Sequence, residues 1–187
     1  MILLDIPFPP LLLSALMLIV VLTAAAFDVR HRKIPNWLSV SGLFAALASH
    51  LILGGLPGLG ASLGGFAAAF TLYFVLYILH AVGAGDVKIM AAVGAIAGIG
   101  WWFLILILTF LTGAILGIAL AISKGRLRTT LWNTAYLGRE LISFRLPWLT
   151  RKELDVKNPA TLRLPHGLSI AIGAVLSLIL MGIRHLR

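Results

Sequence analysis

Ile34 to Gly85 reads IPNWLSVSGLFAALASHLILGGLPGLGASLGGFAAAFTLYFVLYILHAVGAG, 52 residues without a single Lys, Arg, Asp or Glu between Lys33 and Asp86. About 20 apolar residues cross a hydrocarbon core of roughly 30 Å, so this run is too long for one span. Gly54-Gly55-Leu56-Pro57-Gly58 is a turn signal near its middle. The run therefore reads as two helices, 36–53 and 59–80.

Three further uncharged runs flank it: Ile6 to Phe27, Ile89 to Ser123 and Leu164 to Ile183. The chain has 187 residues, is 60% hydrophobic and 11% charged, and has a mean hydropathy of +1.06. These values lie outside the range of soluble domains and indicate an all-α integral membrane protein. The first run carries Asp5 where a secretory signal has basic residues, and Ala24-Ala25-Ala26 is followed by more membrane protein. It reads as a retained helix. There is no cysteine, which excludes disulfides, thiol catalysis and cysteine-ligated zinc.

The 35 residues from Ile89 to Ser123 would make a helix of about 52 Å. Charge decides how they divide. Arg30, Arg32 and Lys33 form one basic loop, Lys88 lies two spans later, and nine Lys or Arg residues lie between Lys124 and Arg163. Placing all three segments in the cytosol requires an even number of spans between Lys88 and Lys124, hence helices near 88–99 and 101–122 with a break at Gly98-Ile99-Gly100. A last helix near 165–183 gives six transmembrane helices in one polytopic domain over 1–187, with both termini outside, where Arg184 and Arg187 run against the charge rule. The net charge of +9 is read as orienting charge in loops, with the lipid bilayer and no nucleic acid as partner.

The polar segment 124–163, between helices 5 and 6, places Leu131, Trp132, Ala135, Tyr136, Leu141, Ile142 and Phe144 at loosely helical spacing among Arg126, Arg128, Arg139 and Arg145. This suggests an amphipathic helix in the cytosolic interface, serving as an anchor or as a docking surface.

The chain has six acidic residues, and two stand apart. Asp28 closes the first helix at the cytosolic boundary. Asp86 follows Gly83-Ala84-Gly85 at the entrance to the fourth, at similar depth. Each alone is either a functional group or a helix-end residue that snorkels or caps. As a facing pair in a low-dielectric site, they would hold one proton between them, one acting as base on water and the other as acid on a carbonyl oxygen, with no metal or cofactor needed. Gly83 and Gly85 either let a substrate backbone approach or only allow tight helix packing. Lys88 either shapes the field of the site or contacts lipid phosphate. Pro35 suits the first turn of the second helix.

Asp28, then Ile34-Pro35-Asn36-Trp37-Leu38, then Gly83-Ala84-Gly85-Asp86-Val87-Lys88 some 50 residues later, resembles the paired signature of prepilin peptidases, GxGD-type membrane aspartyl peptidases, in the short form of Flp/Tad pilus systems. Leu164-Pro165-His166-Gly167-Leu168-Ser169-Ile170-Ala171 resembles the family's last helix, with His166 in an aromatic position. The resemblance implies six helices and Asp28 and Asp86 as catalytic residues, with Gly83, Gly85 and Lys88 in the motif around the second. It implies a prepilin as substrate, cut on the cytosolic side of the bacterial inner membrane, and pilus or secretion machinery as partner. Long family members carry a cysteine-bearing insertion and also methylate the new N-terminus. This chain has no cysteine and no room for that insertion after Phe27, so a peptidase without methyltransferase activity is expected. The competing readings are a GxGD peptidase with another client, an ion-coupled transporter, and a subunit of a secretion assembly.

Overall fold

The computed structural model describes residues 9–132, 135 and 165–185. Among these the structure is all-helical: α1 (Leu11–His31), α2 (Asn36–Ile78), α3 (Ala84–Ser123) and α4 (His166–His185), with a short further helical stretch at 127–132. All four long helices are long and apolar enough to cross a membrane.

At 43 and 40 residues, α2 and α3 would run about 65 and 60 Å if straight, twice a hydrocarbon core. Neither is straight. Each is interrupted by one glycine in a backbone region closed to side-chain-bearing residues, Gly55 (φ 59°, ψ −148°) and Gly98 (φ 67°, ψ 170°). The contacts show that the chain reverses at both. His50 reaches Ile96 while Ser62, twelve residues on, reaches the adjacent Ala95. Gly98 packs against Ala61, and from there the chain meets Gly65 and Ala69 through Gly94 on one arm and Tyr73 through Phe110 on the other. The four long helices thus form six helical segments. Pro57, inside α2, sits in the first turn of the second arm, where its missing N–H leaves no bond unmade.

The break at Gly98 orphans carbonyls that a continuous helix would satisfy. Ser62 Oγ donates to Ala95 O at 2.8 Å and His50 Nε2 donates to Ile96 O at 3.0 Å. The carbonyl partner fixes the His50 tautomer with its proton on Nε2. The second arm of α3 runs antiparallel to α4, joined by Trp101 Nε1 donating to Ser177 Oγ at 3.0 Å and by Thr112 against Ser169.

Small and hydroxyl side chains lie inside, among them Ser14, Ser62, Thr109, Ser169 and Ser177, while Ile19, Phe44, Ile52, Leu111 and Ile115 face outward. The interior is otherwise apolar, with Met17, Ile89 and Trp101 buried, and a soluble bundle would turn polar side chains outward where this one presents large apolar ones to an apolar solvent. The protein is a multi-pass membrane protein.

Two sequence expectations are corrected. Asp28 does not close α1, because the helix continues a further turn, to His31, and ends with Arg32 in the left-handed region (φ 52°), its N–H bonded to Asp28 O. Arg30 and His31 in that last turn suit the negative end of the helix. The fourth expected helix begins at Ala84, placing Asp86 inside its first turn. The expected amphipathic helix lies outside the described residues beyond 135, and within them Leu131 and Trp132 are exposed in the helical stretch 127–132.

Candidate active site

One end of the bundle collects the C-terminal turn of α1, both ends of α2 and the N-termini of α3 and α4. The linker 32–35 is short, and Phe27 on α1 meets Trp37 on α2 edge to face, centroids 6.3 Å apart. Pro35, with φ −64° and ψ 138°, caps α2 as an extended residue and Asn36 opens the helix. Ile34 turns inward against Gly85, where an added methyl would lie 3.6 Å from Ile34 Cβ.

Asp86 is the third residue of α3, and its Oδ2 accepts from Gly83 N at 3.0 Å. This is half of a capping box, since glycine has no side chain to return the bond. Asp28, half-buried, directs Oδ2 at the first turn of α4, where Gly167 N donates at 2.8 Å. A side chain cannot be added at Gly167 without conflict: its Cβ would lie 2.9 Å from Asp28 Oδ2 and 3.1 Å from Asp28 Cβ.

Asp28 and Asp86 stand within electrostatic reach of one another, and Asp28 also within that of His166. Both carboxylates are half-buried, on helices that meet at their ends. Beneath them Tyr73, fully buried, places its hydroxyl 3.2 Å from His166 Nε2, with the two rings 5.9 Å apart. Lys88 is exposed and donates to Asn36 Oδ1 at 2.9 Å, so the polar ends of the two sequence motifs touch directly.

Every site residue expected from the sequence therefore lies at this end. Lys88 has in Asn36 a partner that the sequence did not point to. Gly167 and Tyr73 were not expected as part of the site. For Gly167 the signal was a helix-opening glycine after Pro165-His166; for Tyr73 it was a phenol inside an apolar run, which needs a partner when buried.

Chemically, a pair of half-buried carboxylates, each with one oxygen tied to a backbone N–H, suits acid and base work on a water and a carbonyl. Residues 15–118, which include both carboxylates and both motifs, match the type IV leader peptidase family. The chain belongs to the type IV leader peptidase family. Similar proteins include the Prepilin leader peptidase/N-methyltransferase of Aeromonas hydrophila, 35% identical over 122 residues, 60% of this chain and 41% of that protein. The protein of the same name in Aeromonas salmonicida (strain A449) is 36% identical over 122 residues, with the same coverage, and that of Xanthomonas campestris pv. campestris is 29% identical over 112 residues, 57% of this chain and 39% of that protein. The chain thus spans about two fifths of the length of these curated relatives of the leader peptidase family. No solved structure matches it.

Proposed function

We propose that this chain is an aspartyl endopeptidase that removes the leader of type IV, Flp-like prepilins at the cytosolic face of the bacterial inner membrane, with Asp28 and Asp86 as its catalytic pair. The observation that carries the reading is that two half-buried carboxylates, 58 residues apart in sequence, stand within electrostatic reach of one another at one end of a lipid-facing bundle. The leader peptidase relatives supply the client class.

In this mechanism the ionised carboxylate takes a proton from a water as its oxygen adds to the scissile carbonyl carbon, and the protonated partner gives its proton to the carbonyl oxygen. Collapse of the tetrahedral diol breaks the C–N bond as the carboxyl that took the water's proton gives it to the leaving nitrogen and the other carboxylate takes a diol hydroxyl proton, which returns the pair to its shared-proton state. Gly83 keeps a side chain off the Asp86 carboxylate, where an added methyl would lie 3.3 Å from Oδ2, Gly85 lets Ile34 pack in close, and the Lys88–Asn36 bond ties the two motif loops together.

The reading takes the six helical segments as six spans. Arg30, Arg32, Lys33, Lys88 and Lys124 gather at the end that holds Asp28 and Asp86, which makes that end cytosolic by the charge rule. Peptidase activity without methyl transfer is proposed because the chain has no cysteine and α1 and α2 are joined by a linker of four residues, Arg32 to Pro35.

The test is the purified chain in proteoliposomes with a recombinant Flp-type prepilin and S-adenosylmethionine, followed by intact mass. The reading predicts loss of the leader mass alone. An uncut prepilin would reject the peptidase assignment, and an added 14 Da on the new N-terminus, the mass of one methyl replacing hydrogen, would reject the second part.

A further inference from the structure

We infer that Tyr73 and His166 are positioning residues for Asp28: a hydrogen-bonded bridge, rooted in the buried phenol, that holds the first turn of α4 in register, so that Gly167 N–H stays on Asp28. This inference rests on the proposed function for its activity readout, though not for its structural one.

The geometry assigns the role. His166 and Gly167 are consecutive, so whatever fixes the His166 ring also fixes the amide that follows it. The ring is held by Tyr73, which comes from α2 and has no exposed surface, through the 3.2 Å bond between its hydroxyl and Nε2. The amide of Gly167 donates to Asp28 Oδ2 at 2.8 Å. Tyr73 also lies within electrostatic reach of Asp86, and His166 within that of Asp28. Phe110 stacks on the Tyr73 ring at 6.3 Å and 7°, which limits the phenol's other rotamers. Three helices that share no local sequence are thereby coupled at one point below both carboxylates. The fully buried phenol and the half-buried imidazole satisfy one another at Nε2, and removing either leaves the other without this partner.

A role confined to packing would make a different prediction, since Phe in place of Tyr73 keeps the ring and its stack on Phe110. The experiment compares wild type, Tyr73→Phe, His166→Phe, the double variant and His166→Gln, whose amide can reach where Nε2 lies. The full chain is reconstituted with a recombinant Flp-type prepilin, and melting in detergent is recorded for each. The inference predicts kcat lowered about tenfold in each Phe variant, the loss that accompanies one net hydrogen bond, with KM unchanged. The double variant should be no worse than either single one, and His166→Gln should recover part of the rate. Amide hydrogen exchange at Gly167 is read on the same samples and needs no substrate. It should accelerate about tenfold in Tyr73→Phe with the rest of α4 unchanged. Phe variants within twofold of wild type in both kcat and Gly167 exchange, or multiplicative losses in the double variant, would overturn the inference. If wild type leaves the prepilin uncut, the proposed function falls and the exchange result alone decides the bridge.

Discussion

Replacing Gly167 by Ala should separate activity from stability. The added methyl carbon would lie 2.9 Å from Asp28 Oδ2, 3.1 Å from its Cβ and 3.3 Å from its Cγ. Carbon atoms in contact settle near 3.5 to 4.0 Å, so α1 and α4 must part by about 0.5 Å. That shift stretches the 2.8 Å bond from Gly167 N to Asp28 Oδ2 beyond the usual N–H···O range. A hydrogen bond to a charged group contributes about 1.5–3 kcal/mol, and about 1.4 kcal/mol of barrier is a factor of ten in rate, so kcat/KM should fall roughly ten- to a hundredfold. The cost to folding is smaller. Overpacking removes about 1–3 kcal/mol, but Ala in a helix recovers about 1 kcal/mol over Gly. The assay is leader removal by the reconstituted variant beside its melting temperature in detergent. Cleavage by Gly167→Ala within twofold of wild type, at a normal melting temperature, would show that this amide does not position Asp28.

Other perturbations separate scaffold from site. His50→Ala leaves the Ile96 carbonyl without its side-chain donor, which should cost about 1–3 kcal/mol and lower the melting temperature by several degrees, while kcat per folded enzyme holds. Gly98→Ala forces a side chain into φ 67°, about 1 kcal/mol or more, and should also lower the melting temperature without changing KM. The Lys88–Asn36 bond is exposed, so Lys88→Met and Asn36→Ala should each slow cleavage by no more than about fivefold, and their double variant should match the single ones. A double variant whose loss is the product of the two would show that Lys88 acts on something other than Asn36.

The apolar runs placed the helices because lipid solvation is written in composition, with no pairing partner needed to see it. The breaks at Gly55 and Gly98 were legible for a related reason: each lies where an uncharged run exceeds twice the length of a span or carries clustered glycine, and the glycines themselves are the residues whose backbone allows the reversal. Asp28 and Asp86 stood out because charge is scarce in such a chain. Two features escaped. The last turn of α1 was missed because Val29-Arg30-His31 looks like loop by polarity, although basic residues belong at a helix C-terminus. The bonds from Gly167 to Asp28 and from Tyr73 to His166 join residues 139 and 93 apart in sequence, and nothing local to either partner specifies the other. Only the packing of α1, α2 and α4 at one end makes them neighbours.

The paired-aspartate assignment is tested most directly by coexpressing a Flp-type prepilin with wild type, Asp28→Asn or Asp86→Asn, each at matched membrane abundance, and reading the pilin mass. Asn keeps a carbonyl oxygen that can accept from Gly167 N or Gly83 N, so both variants should fold and leave the backbone contacts in place. Wild type should yield a trimmed pilin and both variants an intact leader. A variant that trims at the wild-type rate would contradict it, since that carboxylate would then serve only as a helix-end acceptor.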